Sequence, residues 1–412
     1  MVKKIESKLR SNIWSLIILT ISGSLIYALP YFRNYYYDAY VETYNLTNTQ
    51  MGTLGSMFGV FGMISYLFGG IVADFISPKK LISVSLVLTG LAGFSHLFVS
   101  NYSMLLIIYL VWGFTSLFAF WPSLVKGIRS IAGSDEQSKA YGFMEGGRGI
   151  MNAVHLAVAL AMFNYISSKA NDAAGIKGVI TFYSIVMVVL GVLVFILLKD
   201  PGKTDKSERF NFKQLLTVIK MPQVWILSLI LCATYTMNIS YMYFSPFATS
   251  AFGIATAGGA LITIMADYVR PVGSIGGGFL ADRVGRGRLM TVGFLVMAVC
   301  TFAITFLHSI TLPVFVVICA LLYLGMYSNY GLVFSFMEEG GIPMEVSGTA
   351  IGLISTLGYL PEVICPLVFG RTIDGFGDAG YRYYFIGVGV IMIIGIFALS
   401  IWNRSLKKKK AL

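Results

Sequence analysis

The stretch GGGFLADRVGRGR, Gly276–Arg288, sets three glycines and a short apolar run directly against an acid, Asp282, and three arginines. A looser copy, GGIVADFISPKK, runs from Gly69 to Lys80. So abrupt a boundary marks the end of a membrane-crossing helix, because hydrocarbon excludes charge and the headgroup region collects it. Two copies about half a chain apart point to an internal duplication.

The composition agrees. The chain has 412 residues, of which 57% are hydrophobic and only 12% charged. A soluble protein needs a polar outer shell, and this one could not build it. The net charge of +11 sits in short clusters between apolar runs, a topology signal rather than a nucleic-acid surface. The cysteines Cys232, Cys300, Cys319 and Cys365 lie apart in apolar runs and read as core residues, and the three histidines are scattered. No metal or other cofactor is expected. No phosphate-binding loop or nucleophile–base pair is present, so neither ATP-driven transport nor an enzyme is expected.

A membrane helix needs about 20 apolar residues. Runs of that size give an all-α membrane protein with twelve predicted spans, near 13–37, 50–73, 80–99, 102–127, 139–165, 177–198, 222–248, 256–281, 289–309, 312–337, 346–371 and 381–402. Two six-helix bundles, 1–198 and 221–412, flank a polar central loop at 199–220. Basic residues gather at both termini, in the central loop and beside the two glycine–acid copies. That places both termini in the cytoplasm, with the protein in the cytoplasmic (inner) membrane. The halves align: Gly70 and Asp74 match Gly278 and Asp282 at an offset of 208, and Ala140 and Gly142 match Ala350 and Gly352 at 210. Parallel repeats of this kind build alternating-access carriers.

The spacing in Gly278–Arg288 resembles the loop signature of the major facilitator superfamily, G-x-x-x-D-R-x-G-R-[RK]. In Gly70–Lys80 the match is degraded, with Phe75 for the arginine and Ser77 for the glycine. The resemblance covers nearly the whole chain. It implies a secondary transporter gated by Gly70, Asp74, Gly278, Asp282, Arg283, Gly285 and Arg286. Shorter stretches, FKQLLTVIKMPQVWILSL at Phe212–Leu229, SPF at Ser245–Phe247 and SGTAIGLISTLGYL at Ser347–Leu360, are similar to the organophosphate:phosphate antiporter branch. RPVG at Arg270–Gly273 resembles the eighth span of nitrate and oxalate/formate porters. There are departures: Asn238 stands where the antiporter resemblance implies a second arginine, and Gly62 where the nitrate porters carry one.

Charges at membrane depth mark sites, since each costs roughly 2.5–3.5 kcal/mol to insert. Arg148 and Arg270 each follow an acid by three residues, Glu145 and Asp267, one helical turn away on the same face. Both arginines are expected to hold a substrate anion, with Arg33 as an alternate. Glu145, Asp267 and Glu362 are expected proton carriers; Glu362 lies between Pro361 and Pro366, where a broken helix frees backbone groups. Tyr27, Tyr31, Trp121, Asn238, Tyr241, Tyr327 and Asn329 complete the expected substrate-facing set. Each has a plainer packing or interfacial reading. The expected cargo is a small organic anion, a carboxylate, sugar acid or phosphorylated metabolite, moved with protons or a counter-anion by a monomer in the lipid bilayer. A proton-driven efflux pump, a neutral-sugar carrier and a transport-incompetent sensor are the rival readings.

Overall fold

The computed structural model describes residues 8–99, 101–133, 136–198, 212–306, 310–343 and 346–410. Among them the chain is helical, with no strand. Within the described residues, the stretches predicted as spans lie largely on helices. Judged by length and composition alone, eight helices among the described residues are long and apolar enough to cross a membrane, or nine if one bent pair is a single span. The central loop, through residue 211, lies outside the described residues.

The chain forms two compact units, residues 1–33 with 68–209, and residues 34–67 with 210–412. The first contains α1 (Ile13–Leu25) and α2 (Ala28–Tyr35, ending at its border), then α4 (Asn48–Phe75) from residue 68 onward. The short α3 (Tyr37–Tyr44) belongs to the second unit. The first unit continues with α5 (Pro78–His96), α6 (Tyr102–Gly113), α7 (Trp121–Ile131), α8 (Gln137–Lys169) and α9 (Asp172–Leu197). A bend of 42° separates α1 from α2. Pro30 explains it, because a proline early in α2 cannot donate back to the preceding turn. A π-helical stretch, Phe114–Phe120, joins α6 to α7 just before Pro122, another place where a missing N–H disturbs the ladder. Helices α5 and α9 pack closely through small residues: Ser83 Oγ donates to Gly191 O at 2.7 Å, and a methyl at Gly90 would lie 2.8 Å from Ser184 O.

The second unit contains α10 (Pro222–Ser240), α11 (Phe244–Phe252), α12 (Thr256–Val284), α13 (Arg286–Phe306), α14 (Leu312–Leu332), α15 (Ser347–Gly358), α16 (Pro361–Phe376) and α17 (Asp378–Lys410). The break between α15 and α16 falls at Tyr359–Leu360, directly before Pro361. Large apolar side chains such as Phe143, Val272, Phe279 and Phe397 point outward, as they do where the surroundings are hydrocarbon. The four cysteines are free, and no metal-holding group of His, Cys, Asp and Glu occurs among the described residues.

Candidate functional site

In the first unit, Arg148 lies on α8 with Glu145 one turn before it. Its Nη1 donates to Glu145 Oε1 at 2.8 Å, and its Nε donates to the Gly23 carbonyl of α1 at 2.9 Å. The guanidinium lies over the Trp121 ring, 5.0 Å from its centroid. A flat cation is thus held by three elements, and only 13% of its side chain is exposed. Among the described residues Nη2 of Arg148 has no hydrogen-bond partner. Glycine at position 23 matters because a methyl there would sit 3.3 Å from Arg148 Cδ and 2.7 Å from Leu124 Cδ2. One turn further along α8, Asn152 accepts from Ser24. Neither Ser24 nor Asn152 stands out in the sequence, although Asn152 shares the Arg148 face at a spacing of four.

Arg33 lies in a different cluster. It is 3% exposed, its guanidinium 5.2 Å from the Tyr109 centroid, so it does not snorkel to a headgroup. Tyr109 packs on Trp112, Trp112 stacks on His96, and His96 meets Phe32. The Tyr27 and Tyr31 rings are 6.3 Å apart.

Among the described residues, the second unit holds two buried carboxylates. Asp267 on α12 is 4% exposed and accepts from the Tyr35 hydroxyl at 3.4 Å. One turn on, the Arg270 guanidinium lies 5.6 Å from the Tyr327 ring centroid. Tyr241 is buried against Tyr323, and Asn238 Nδ2 reaches Met326 Sδ at 3.9 Å. Asn329 is fully buried, donates to the Met290 carbonyl at 3.1 Å and packs on Gly293, a contact between α14 and α13. Glu362 begins α16 and is 8% exposed. The Tyr235 hydroxyl donates to its Oε2, the Tyr235 and Tyr359 rings meet edge to face at 4.5 Å, and Tyr359 shares a 3.0 Å hydrogen bond with Tyr330. Sequence reading missed these three tyrosines.

Gly285 ends α12 with φ +94°, a backbone state that other residues rarely adopt, and Arg286 opens α13. Arg286 Nη1 donates to the Ser335 carbonyl at 3.1 Å and pairs with Glu339 at 3.4 Å. Asp282 and Arg283 are exposed. Gly277 lies against Ser328, whereas a methyl at Gly276 or Gly278 would meet nothing within 4 Å. Gly70 and Asp74 fall on α4 where the side chains lie outside the described residues. The positive φ yields a local prediction. Gly285→Ala lowers stability by about 1–2 kcal/mol, read as a lower thermal unfolding midpoint. Gly276→Ala, in open helix, leaves the midpoint unchanged or raises it.

A sequence model described as Major Facilitator Superfamily matches residues 13–366. The inner membrane protein YihN of Escherichia coli (strain K12) is 26% identical over 385 residues, 90% of this chain and 91% of that protein. The nitrite extrusion protein of Bacillus subtilis (strain 168) is 25% identical over 62% of this chain and 63% of its own length. Among solved structures, a bacterial homolog of the human lysosomal transporter Spinster, inward-facing and occupied, superposes with a TM-score of 0.78 at 15% identity, covering 96% of this chain and 97% of that one; at that identity the likeness is one of fold. The signature at the end of α12, the all-helical fold and the model match across most of the chain lead to one conclusion: this multi-pass membrane protein is a transporter, not an enzyme, and belongs to the Major Facilitator Superfamily.

Proposed function

We propose that the protein is a secondary active transporter that carries a small organic anion, a carboxylate, sugar acid or phosphorylated metabolite, by alternating access with proton symport. The observation that carries this reading is the setting of Arg148. Arginine is costly at membrane depth, and this one is anchored through two of its nitrogens on an aromatic platform, with Nη2 left open. Fixing a guanidinium beforehand reduces the entropy lost when an anion binds, and a planar fork suits a carboxylate or phosphate. Arg270 on its tyrosine provides a second cation of the same design. The Bacillus relative is named for extruding an anion, nitrite, which agrees with a cationic site. Buried Glu362, hydrogen-bonded to a tyrosine hydroxyl, suits a proton carrier. In this reading twelve spans cross the inner membrane with both termini in the cytoplasm, as the basic clusters require.

A thermal-shift screen tests the reading. Ligand at 100 times its Kd stabilises the folded state by about 2.7 kcal/mol. At least one of a set of carboxylates, sugar acids and sugar phosphates raises the unfolding midpoint by several degrees, and neutral sugars and lipophilic cations do not. A shift confined to neutral sugars or lipophilic cations would sink the anion assignment.

A further inference from the structure

Along α8, Glu145, Arg148, Asn152 and His155 recur at intervals of three, four and three residues. In a helix that spacing keeps all four on one face, over about 15 Å of its axis. Between them stand only glycine, alanine and apolar residues. Asn152 falls next to the midpoint of this 33-residue helix. The first unit thus carries a polar stripe that runs from Arg148 into the interior of α8.

Neighbouring helices of the same unit hold each member in place. Glu145 and the Gly23 carbonyl fix Arg148. Ser24, the next residue of α1, donates to Asn152 Oδ1. The Tyr183 hydroxyl of α9 lies 2.9 Å from His155 Nδ1 and 3.3 Å from the His155 carbonyl. The two rings meet edge to face, 5.6 Å apart. His155 is 7% exposed, and its Nε2 is buried with no hydrogen-bond partner among the described residues. Native structures leave few buried polar atoms in that condition, and each calls for an explanation. A polar ligand atom supplies one here, because the nitrogen lies in line with a fixed cation. The stripe also has room beside it. Gly149 sits one turn before Asn152 at the edge of the same face, and a methyl there would meet nothing within 4 Å.

We propose that this stripe reads the hydroxyl groups of the cargo, with the charged end on Arg148 and the hydroxyls along Asn152 and His155. The cargo is then a polyhydroxylated anion, not an inorganic ion or a plain alkyl acid. The inference rests on reading Arg148 as the anion grip. The residue types carry the selectivity. A neutral imidazole and an amide each donate and accept, and so does a hydroxyl. A second acid group on the cargo would need a second cation, and between Glu145 and His155 the stripe has only Arg148. An alkyl chain would strand the amide and the imidazole against hydrocarbon without partners. Sites that hydrogen-bond a substrate hydroxyl reject the analogue lacking it by large factors for this reason. Arg148 and His155 are about 10 Å apart along the axis, comparable to an extended six-carbon acid.

Titration of the full chain in nanodiscs tests this with probes matched in carbon number. Gluconate is set against hexanoate, glucose 6-phosphate against hexyl phosphate, and sorbitol serves as the uncharged polyol. At least one hydroxylated anion binds tenfold or more tighter than its alkyl counterpart. Asn152→Leu and His155→Phe each bring that ratio close to one. Both members of a pair are titrated on one preparation, so a loss of folded protein weakens both signals and leaves the ratio unmoved. Equal binding within each wild-type pair overturns the stripe and leaves the anion reading standing. A ratio that neither substitution moves also overturns it, and makes Ser24–Asn152 and Tyr183–His155 packing contacts. If sorbitol binds and no anion does, the anion reading fails; loss of sorbitol binding in Asn152→Leu then upholds the stripe, and its retention overturns it. Silence of all five probes overturns the stripe.

Discussion

On the proposed anion reading, Arg148→Gln lowers the affinity for the cargo by about 100-fold, with the fold intact. A hydrogen bond to a charged partner is worth about 1.5–3 kcal/mol, and each 1.4 kcal/mol is a factor of ten. Glutamine removes the positive charge and the planar fork together. The structural penalty is limited: Glu145 is 46% exposed on its side chain, so its carboxylate is not sealed in the core, and the Gly23 carbonyl loses one donor. Arg148→Lys separates charge from shape. It keeps the cation but loses the flat stack on Trp121 and the two-armed donor, so it recovers only part of the affinity. Titration of purified protein in nanodiscs with the best ligand of the thermal screen reads both variants. Wild-type affinity in Arg148→Gln means that this guanidinium is structural.

Glu362→Gln abolishes accumulation driven by a pH gradient, by tenfold or more, and leaves exchange of anion for anion at symmetrical pH near its normal rate. The amide keeps the shape of the side chain and still accepts from the Tyr235 hydroxyl, so the cluster with Tyr359 and Tyr330 persists. Only the ability to take up and release a proton is lost. Tyr235→Phe is the companion variant: it leaves the acid but removes its donor, and it shifts the pH at which uptake is half-maximal. Uptake by Glu362→Gln that still responds fully to an imposed pH gradient assigns the proton elsewhere, with Asp267 the next residue to replace.

Much of the fold was legible because membrane helices obey one-dimensional rules. Apolar length and the glycine–acid–arginine spacing at Gly278–Arg288 need no knowledge of distant contacts, and the break before Pro361 follows from a missing N–H. Arg148 and Glu145 were legible as a pair for the same reason, since one helix carries both at a spacing of three. The setting of Glu362 was not. Tyr235, Tyr330 and Tyr359 come from α10, from α14 and from the turn between α15 and α16, and no local period links them. The grouping of residues 34–67 with the second unit was equally hidden. Duplication suggests two equal halves, whereas contacts such as Gly52 on Pro366 and Asp374 on Asn48 join positions more than 300 residues apart. Asn238 and Asn329 show the limit of polarity as a guide: at similar apparent depth, one amide reaches a methionine sulfur and the other closes a contact between α13 and α14.

We propose that the fixed guanidinium of Arg148 holds a negatively charged cargo. The most direct measurement is uptake of radiolabelled carboxylates, sugar acids and sugar phosphates, with neutral sugars alongside, into proteoliposomes under an imposed pH gradient. The expected result is saturable uptake of at least one anion, collapse of that uptake on adding a protonophore, and its loss in Arg148→Gln. Saturable uptake of a neutral sugar alone, equal in wild type and Arg148→Gln, would contradict it.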